Sequence, residues 1–261
     1  MAPAPRRRPT LPRSPVLRRT LFLGVAFLAL EAAAFPLKGR VVGPGLEAAD
    51  LVSLGAGLPL LALLYYRLYR ALKPAFPLPP ALKWLALLSF ALFFTGFGIH
   101  AAANDVHNAM DRLLGFAKGH GHELPEPVAG YSTAHFYDEV LGHKMAYAGL
   151  AGLFAAGLWL QFLRPQKLDP DEARGVWLLA PVFGFGFAFI LLEGQTALEG
   201  LVVALFGPPA LWEAQRRSRE PWSRLPLAAL SFGALLWMAL FLLAWRLWFG
   251  GFAEPSVVWG I

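Results

Sequence analysis

Long, nearly uncharged apolar segments are the feature that most constrains the fold of this chain. A transmembrane helix needs about 20 apolar residues to cross the hydrocarbon core of a bilayer, and several segments approach that length. Backbone polar groups in lipid must be satisfied within the protein, which helices and closed barrels achieve, and no alternating barrel pattern occurs. The sequence therefore predicts an all-α fold, a polytopic membrane helix bundle.

The apolar segments divide the chain into three regions. Residues 1–16 form a basic tail rich in Pro and Arg, residues 17–249 a single transmembrane helical domain, and residues 250–261 a short final tail. Seven spans are predicted, at about 17–35, 50–69, 81–103, 145–163 and 225–245, with two more inside 176–212. We expect the third span to continue as a helix to Leu114, before a loop over 115–131 and a helix capped by Ser132 or Thr133.

Residues 176–212 are ambiguous, because they fit either one long bent helix or two helices with a turn near Glu193. With two spans, 17 of the 23 Lys and Arg residues fall near one side of the membrane and 6 near the other. Cytoplasmic loops carry the excess of basic residues. The charges therefore favour about seven spans with the N-terminus cytoplasmic and the C-terminus outside, in the cytoplasmic membrane of a prokaryote. Within the spans, Pro208 and Pro209 predict a broken or short sixth helix, and Pro59 predicts a bend in the second.

Composition excludes several classes of site and partner. The chain has no cysteine, which excludes disulfides, thiolate nucleophiles and cysteine-ligated metal sites. Its net charge of +6 comes from short clusters between apolar segments, so we assign the charge to membrane orientation and expect membrane lipids, not nucleic acid, as surroundings. Asparagine occurs only at 104 and 108, a scarcity that fits a thermophile or a GC-rich genome.

All six histidines lie in one segment, where one apolar stretch ends and another begins: His100, His107, His120, His122, His135 and His143. In the seven-span scheme, a set of carboxylates falls in the same outer half of the protein: Glu31, Asp50, Asp111, Asp138, Glu139, Glu193 and Glu199. Ionisable groups at membrane depth are costly and usually face a bundle interior or a cavity. This one-sided accumulation predicts a functional site near the outer face.

Helical spacing arranges these residues in two stripes. His100, Asn104, His107 and Asp111 are separated by four, three and four residues, which places them on one narrow face of a helix. On the next helix His135, Glu139 and His143 share a broad face, with Asp138 beside His135. Because the two helices are consecutive and antiparallel, we expect the stripes to face each other.

The residue types in these stripes predict a metal site. Imidazole and carboxylate together suit zinc, iron or manganese. The predicted ligands are His100, His107, Asp111, His135, Asp138 and His143. Asn104, Asp111 or Asp138 can instead contact a ligand histidine without binding the metal, and so fix the orientation of its ring. Glu139 or Glu193 is the predicted general base for metal-assisted hydrolysis.

Each of these residues also has a simpler explanation. A single histidine at a membrane interface is usually a tolerated polar residue, and His120 and His122 lie in a Gly-rich sequence typical of a solvated loop. Glu31 and Asp50 fit helix-end residues, and Glu193 and Glu199 fit caps beside a turn. The four-residue stripe that starts at His100 is the part that chance explains least well.

One membrane family shares part of this pattern. In span number and in the spacing from His100 to Asp111 the chain resembles the seven-span hydrolases that include the alkaline ceramidases and the progestin/adipoQ receptors. Gly96 stands where that family has serine, and its closing His-x3-His pair is absent, so we do not assign the chain to it. HExxH, Walker and GxSxG elements are absent as well.

Three functions remain open at this stage. The first is a metal-dependent membrane enzyme, most simply a hydrolase of a lipid or amphipathic substrate. The second is a b-type haem protein in which histidines of the third and fourth spans, such as His100 and His143, are axial ligands. The third is a non-enzymatic transporter or assembly factor, for which the prolines inside the spans supply the irregular helices that transporters use.

Overall fold

The computed structural model describes residues 14–37, 40–43, 46–119 and 129–259, and these are almost entirely helical. The prediction of an all-α fold is confirmed, apart from a two-stranded antiparallel hairpin of β1 (Val41–Gly43) and β2 (Leu46–Glu47). The α-helices are α1 (Pro15–Ala34), α2 (Ala48–Asp50), α3 (Leu58–Leu72), α4 (Pro80–Gly119), α5 (Ala129–His135), α6 (His143–Leu163), α7 (Pro170–Glu193), α8 (Ala197–Ser218), α9 (Pro226–Phe249) and α10 (Pro255–Trp259). Two π-helical segments, π1 (Leu51–Gly57) and π2 (Phe136–Gly142), and the 3-10 turns Phe35–Leu37 and Trp222–Arg224 complete the described elements.

Six helices among the described residues are long and apolar enough to cross a membrane: Leu51–Leu72, Pro80–Phe116, Tyr131–Leu163, Pro170–Glu193, Ala197–Ser218 and Pro226–Phe249. Their outward surfaces carry large apolar side chains such as Leu178, Phe206 and Leu247, which are at least 71% exposed. A soluble protein rarely exposes so much apolar surface. By length, composition and surface, these helices are those of an integral membrane protein.

Successive long helices run in opposite directions, so the bundle has two ends. At one end Arg164 of α6 donates hydrogen bonds to the carbonyls of Ala71 and Lys73 after α3. We call this end, where α3, α6 and α8 finish, the arginine end. The opposite end, where α4, α7 and α9 finish, carries the described histidines, and we call it the histidine end.

Polar contacts join the helix starts at the arginine end. Asp169 and Glu172 form a capping box at the start of α7, and Glu172 also accepts a 2.9 Å hydrogen bond from the backbone N–H of Ser14, just before α1. The buried Gln161 of α6 accepts a 2.8 Å hydrogen bond from the N–H of Ala228 in the first turn of α9. Each contact satisfies a backbone donor that a helix start leaves without an intrahelical partner.

Glycine residues let α4 and α6 pack backbone against backbone. A Cβ atom added to Gly96 would stand 2.2 Å from the backbone nitrogen of Ala146, and one added to Gly149 would stand 2.3 Å from that of Phe93. In membranes, where helices gain no hydrophobic energy by leaving lipid, such close contact of small residues is a main source of association. The same antiparallel register, continued to the histidine end, brings the predicted stripes together.

The structure corrects several predicted boundaries. The region 176–212 contains two helices, and the turn after Glu193 includes Gln195 in a left-handed conformation (φ 50°). However, α8 runs unbroken through Pro208 and Pro209, so the predicted short or broken helix is wrong. Near Pro59 the irregular element is π1, which ends at Gly57 and continues directly into α3, so Pro59 lies within one continuous helical stretch.

Both ends of the predicted loop 115–131 are helical. The helix α4 continues to Gly119, five residues past the predicted end, and α5 begins at Ala129. Ser132 and Thr133 lie inside α5, so neither caps a helix as predicted. Contacts between α5 and α4 outweigh the local preference of Ser132 and Thr133 for a capping position.

Candidate functional site: a buried aspartate among four histidines

The site lies where α4 passes the composite helix formed by α5, π2 and α6. Twenty residues separate Pro80 from His100, a rise of about 30 Å, which equals the thickness of the hydrocarbon core. His107 stands a further 10 Å or so along the same face. Measured from Pro80, His100 therefore lies about one hydrocarbon-core thickness along α4, and His107 lies beyond it.

Asp138 is the centre of the site. It belongs to π2, its side chain is 0% exposed, and its two oxygens face different histidines. Oδ1 lies 2.6 Å from Nδ1 of His100, and Oδ2 lies 3.4 Å from Nδ1 of His107. The shorter contact is within hydrogen-bonding distance but is not aligned as a hydrogen bond, so it is best described as a contact between ionisable groups.

Two imidazole pairs flank Asp138. The rings of His100 and His143 are 4.2 Å apart between centroids and tilted by 34°, and the rings of His107 and His135 are 5.2 Å apart in an edge-to-face arrangement. The contacts form a continuous row that runs from His143 through His100, Asp138 and His107 to His135. The four predicted ligand histidines within the described residues are thus brought together.

The π-helical turn explains why Asp138 occupies the central position. A π segment carries one extra residue per turn relative to an α-helix, and such segments occur frequently at functional sites. Here π2 fills the whole interval between His135 and His143. The α-helical phase assumed for the second stripe therefore does not apply, although both of its histidines still reach α4.

Nδ1 of His135 is buried and has no hydrogen-bond partner among the described residues. Buried polar groups in proteins are almost always hydrogen-bonded, and the exceptions call for an explanation such as an ion or water. This nitrogen is therefore a donor atom available to a ligand.

Two tyrosines extend the site, and sequence reasoning did not single them out. Tyr131 packs edge-to-face on His107 with centroids 4.8 Å apart, and Tyr147 stacks near His143 at 6.0 Å. The phenol of Tyr147 donates a 3.5 Å hydrogen bond to the carbonyl of Ile190, near the end of α7. Tyr147 follows His143 by four residues, which puts both side chains on one helix face. This spacing could have identified Tyr147 as part of the site.

The predicted carboxylates differ in where they lie. Glu193 ends α7 beside Gly194, which approaches the hydroxyl of Tyr147, so this turn borders the site. Glu199 forms a 2.7 Å ion pair with Lys144, the residue after His143, on an exposed surface. The remaining predicted positions lie outside the described residues or have side chains outside them: Glu31, Asp50, Asp111, His120, His122 and Glu139.

The arrangement bears on the predicted ligands. Among the described residues, no three His, Asp or Glu side chains converge in a geometry that would hold a metal ion. Each oxygen of Asp138 faces an imidazole nitrogen, and the two oxygens do not face a common position where a metal ion could lie. Asp138 therefore fits the alternative role, in which it orients the ligand histidines and does not bind the metal.

The haem alternative fits the site poorly. Two axial imidazoles bind one iron from opposite faces of the porphyrin, so the macrocycle must pass between them. The rings of His100 and His143 are in contact, which leaves no space for a porphyrin plane. Haem ligation by this pair requires the two rings, and the closely packed helices that carry them, to separate.

Comparisons with protein-family models, with curated proteins and with solved structures find no match to this chain. The class of protein therefore rests on the fold and the site alone. These define a polytopic α-helical membrane protein with a buried aspartate held between two histidine pairs at one end of the bundle.

Proposed function

We propose that this protein binds a divalent transition-metal ion through the imidazoles of the histidine end and uses it to hydrolyse a lipid or amphipathic substrate. The observation that carries the proposal is the fully buried Asp138 in contact with Nδ1 of both His100 and His107. A carboxylate on Nδ1 orients an imidazole and makes its other nitrogen, Nε2, a better metal donor. Burial of a carboxylate is costly without such partners, so the contact has a specific use.

The described residues supply part of the donor set. His143 and His135 each lie against one of the histidines that Asp138 orients, and the buried Nδ1 of His135 lacks a partner among the described residues. The remaining donor in this proposal is Asp111. A divalent ion held by such ligands polarises an ester or amide carbonyl and makes water more acidic.

Glu193 is the proposed general base. It ends α7 at the turn that borders Tyr147. Its carboxylate would take a proton from the attacking water, a contribution that typically amounts to about 10²–10⁴-fold in rate. Glu139 was predicted for the same role, and replacing each by glutamine in an activity assay distinguishes them.

The orientation belongs to the same proposal. Basic residues cluster at the arginine end, which is then the cytoplasmic side, and α1, whose buried Leu17 and Phe27 pack within the bundle, is proposed as a seventh span beside the six long apolar helices. The histidine end faces outward and receives substrate from the outer leaflet. A reporter enzyme that is active only outside the cytoplasm should give a signal when it is fused after residue 261. A signal instead from a reporter that is active only in the cytoplasm would reverse the assignment.

The test compares two double variants of the detergent-purified full-length protein. His107→Ala with His143→Ala removes two site imidazoles, and His120→Ala with His122→Ala removes the same number from the segment between the helices. After loading with zinc and desalting, elemental analysis should find stoichiometric zinc in the wild type and the second variant, and little in the first. Equal zinc content in both variants would refute the proposal.

The continuous row of contacts favours a second candidate function. Chains of Asp and His residues relay protons in membrane pumps and transporters. The row from His143 to His135 through Asp138 has this form. A wild-type protein that retains no metal but acidifies or alkalinises the lumen of proteoliposomes, in a manner abolished by Asp138→Asn, would favour the transporter over the hydrolase.

A further inference from the structure

A cavity of about 720 Å³ opens between α1 and α3 at the arginine end, far from the histidines. Its lining contains four arginines, Arg18, Arg19, Arg67 and Arg70. The rest of the lining is formed by Phe22, Leu63, Leu64 and Tyr66. Among the described residues no Asp or Glu lines the cavity, so its charge is wholly positive.

Two of the cavity arginines make contacts that position their side chains. Arg19 donates a 2.6 Å hydrogen bond from Nη1 to the backbone carbonyl of Arg67, which ties α1 to α3. The guanidinium of Arg70 lies 6.0 Å from the ring centre of Tyr66, within the range of a cation–π contact. Two of the four side chains are thereby positioned, and the other two, Arg18 and Arg67, are exposed at the rim.

These four guanidiniums differ from three other arginines at the same end. Arg216 and Arg217 pair with Glu213, and Arg224 pairs with Glu220. Within the described residues, none of the four cavity arginines forms an ion pair with a carboxylate. Four like charges brought together without a counter-ion repel one another, so the site is arranged for an anion from outside the chain.

The apolar wall of the cavity indicates what kind of anion. Phe22 is 49% exposed and lies about one turn along α1 from Arg18, and Leu63 is 47% exposed and lies about one turn along α3 from Arg67. A small soluble anion would leave this wall unused. A phospholipid would place its phosphate on the guanidiniums and its acyl chains along the apolar wall.

We propose that this cavity binds the headgroup of an anionic phospholipid from the leaflet at the arginine end. Arginine matches phosphate oxygens with paired, charge-assisted hydrogen bonds, and basic pockets between transmembrane helices on the cytoplasmic side bind anionic headgroups. The site joins α1 to α3, so the bound lipid stabilises the attachment of the first helix to the bundle. This inference is independent of the function proposed for the histidine end.

Native mass spectrometry of the full-length protein in detergent tests the proposal. The probes are phosphatidylglycerol and phosphatidylcholine with the same acyl chains, each added at equal concentration. The wild type should retain phosphatidylglycerol and lose phosphatidylcholine. Replacing Arg18 and Arg70 by glutamine should lower phosphatidylglycerol occupancy by about tenfold or more, since each basic residue near an anionic headgroup contributes about 1 kcal/mol.

The matched control replaces Arg174 and Arg217 by glutamine. It removes two exposed arginines from the same end and changes the net charge equally, but neither residue lines the cavity. The control should bind phosphatidylglycerol like the wild type. Equal binding by both double variants, or equal retention of the two lipids by the wild type, would overturn the proposal.

Two further measurements identify the source of the phosphate and keep the proposal testable if the variant does not fold. Inorganic phosphate in excess should not displace phosphatidylglycerol, and complete displacement would overturn the lipid assignment in favour of a small anion. If the double variant fails to fold, the wild type alone still decides. Its preference for phosphatidylglycerol should then weaken in high salt, which screens charges at the membrane surface, and a preference unaffected by salt would overturn the proposal.

Discussion

Gly142 lies directly against the backbone of His100. A Cβ atom added to this glycine would stand 2.8 Å from both the Cα and the nitrogen of His100, closer than real Cβ atoms approach other atoms. This contact ends the glycine-mediated packing of α4 on α6 and begins the histidine cluster. The approach of the two backbones is therefore what allows the imidazole pairs and Asp138 to meet.

Replacing Gly142 by alanine should separate the two helices at the site. The obstructing atoms belong to the backbone of α4, which cannot move aside cheaply, so we expect a loss of about 1–3 kcal/mol in stability. Bound zinc should fall in parallel. Thermal unfolding in detergent and elemental analysis measure the two effects.

Gly98→Ala is the matched control, because it adds the same methyl group to α4. Among the described residues, no atom outside the neighbouring backbone of its own helix lies within 4 Å of its added Cβ. This variant should keep its zinc and gain slightly in stability, since alanine favours helix over glycine by about 1 kcal/mol. Equal effects of the two substitutions would show that the close approach at Gly142 does not support the site.

Asp138→Asn tests the orienting role of the buried carboxylate. Asparagine keeps the shape of the side chain but loses the charge that faces His100 and His107. Loss of such a partner typically weakens metal binding by about 10–100-fold. A competition titration with a chromogenic zinc chelator measures the affinity.

The control for this change is Asp171→Asn at the arginine end, where the side chain is 78% exposed. It should bind zinc like the wild type. If Asp138→Asn lowered thermal stability and left zinc affinity unchanged, Asp138 would have a structural role only.

The stripe on α4 could be predicted because α4 is a regular helix over that region. Intervals of four, three and four residues place side chains on one face, and His100 and His107 do face the partner helix. The second stripe could be predicted only in part. Nothing in the spacing indicates that Phe136–Gly142 forms π turns, which depend on packing against α4 and which bring Asp138 to the centre.

Contacts between segments far apart in the chain could not be predicted, because the sequence does not indicate which helices lie side by side. The arginine-lined cavity needs Arg18 and Arg19 of α1 beside Arg67 and Arg70 of α3, and their charges alone predicted orientation only. Continuity of α8 through Pro208 and Pro209 was likewise missed. Inside a bundle, a helix survives the loss of backbone hydrogen bonds at proline because neighbouring segments support it.

Gln161→Met should destabilise the bundle without changing the histidine end. The amide oxygen of Gln161 accepts the hydrogen bond from the N–H of Ala228 at the start of α9, and both residues are buried. Methionine has similar size but no strong acceptor. We expect a net loss of about 1 kcal/mol, because the cost of leaving the buried N–H of Ala228 without a partner is partly offset by removal of the Gln161 Nε2, which is buried and has no hydrogen-bond partner among the described residues.

Thermal unfolding in detergent measures this loss, and Gln166→Met is the control. Gln166 lies just after α6, and its side chain bonds the carbonyl of Arg164 in an exposed position. The control should unfold like the wild type, and zinc content should be unchanged in both variants. Wild-type stability of Gln161→Met would mean that water replaces the lost acceptor.

X-ray absorption at the zinc edge of the loaded, detergent-purified protein tests the metal site most directly. The account predicts stoichiometric zinc whose first shell contains at least two imidazole nitrogens at about 2.0–2.1 Å. In Asp138→Asn the occupancy or the imidazole contribution should fall. A shell made of oxygen alone, or a protein that retains no zinc after desalting, would contradict the proposal that the histidine end is a metal centre.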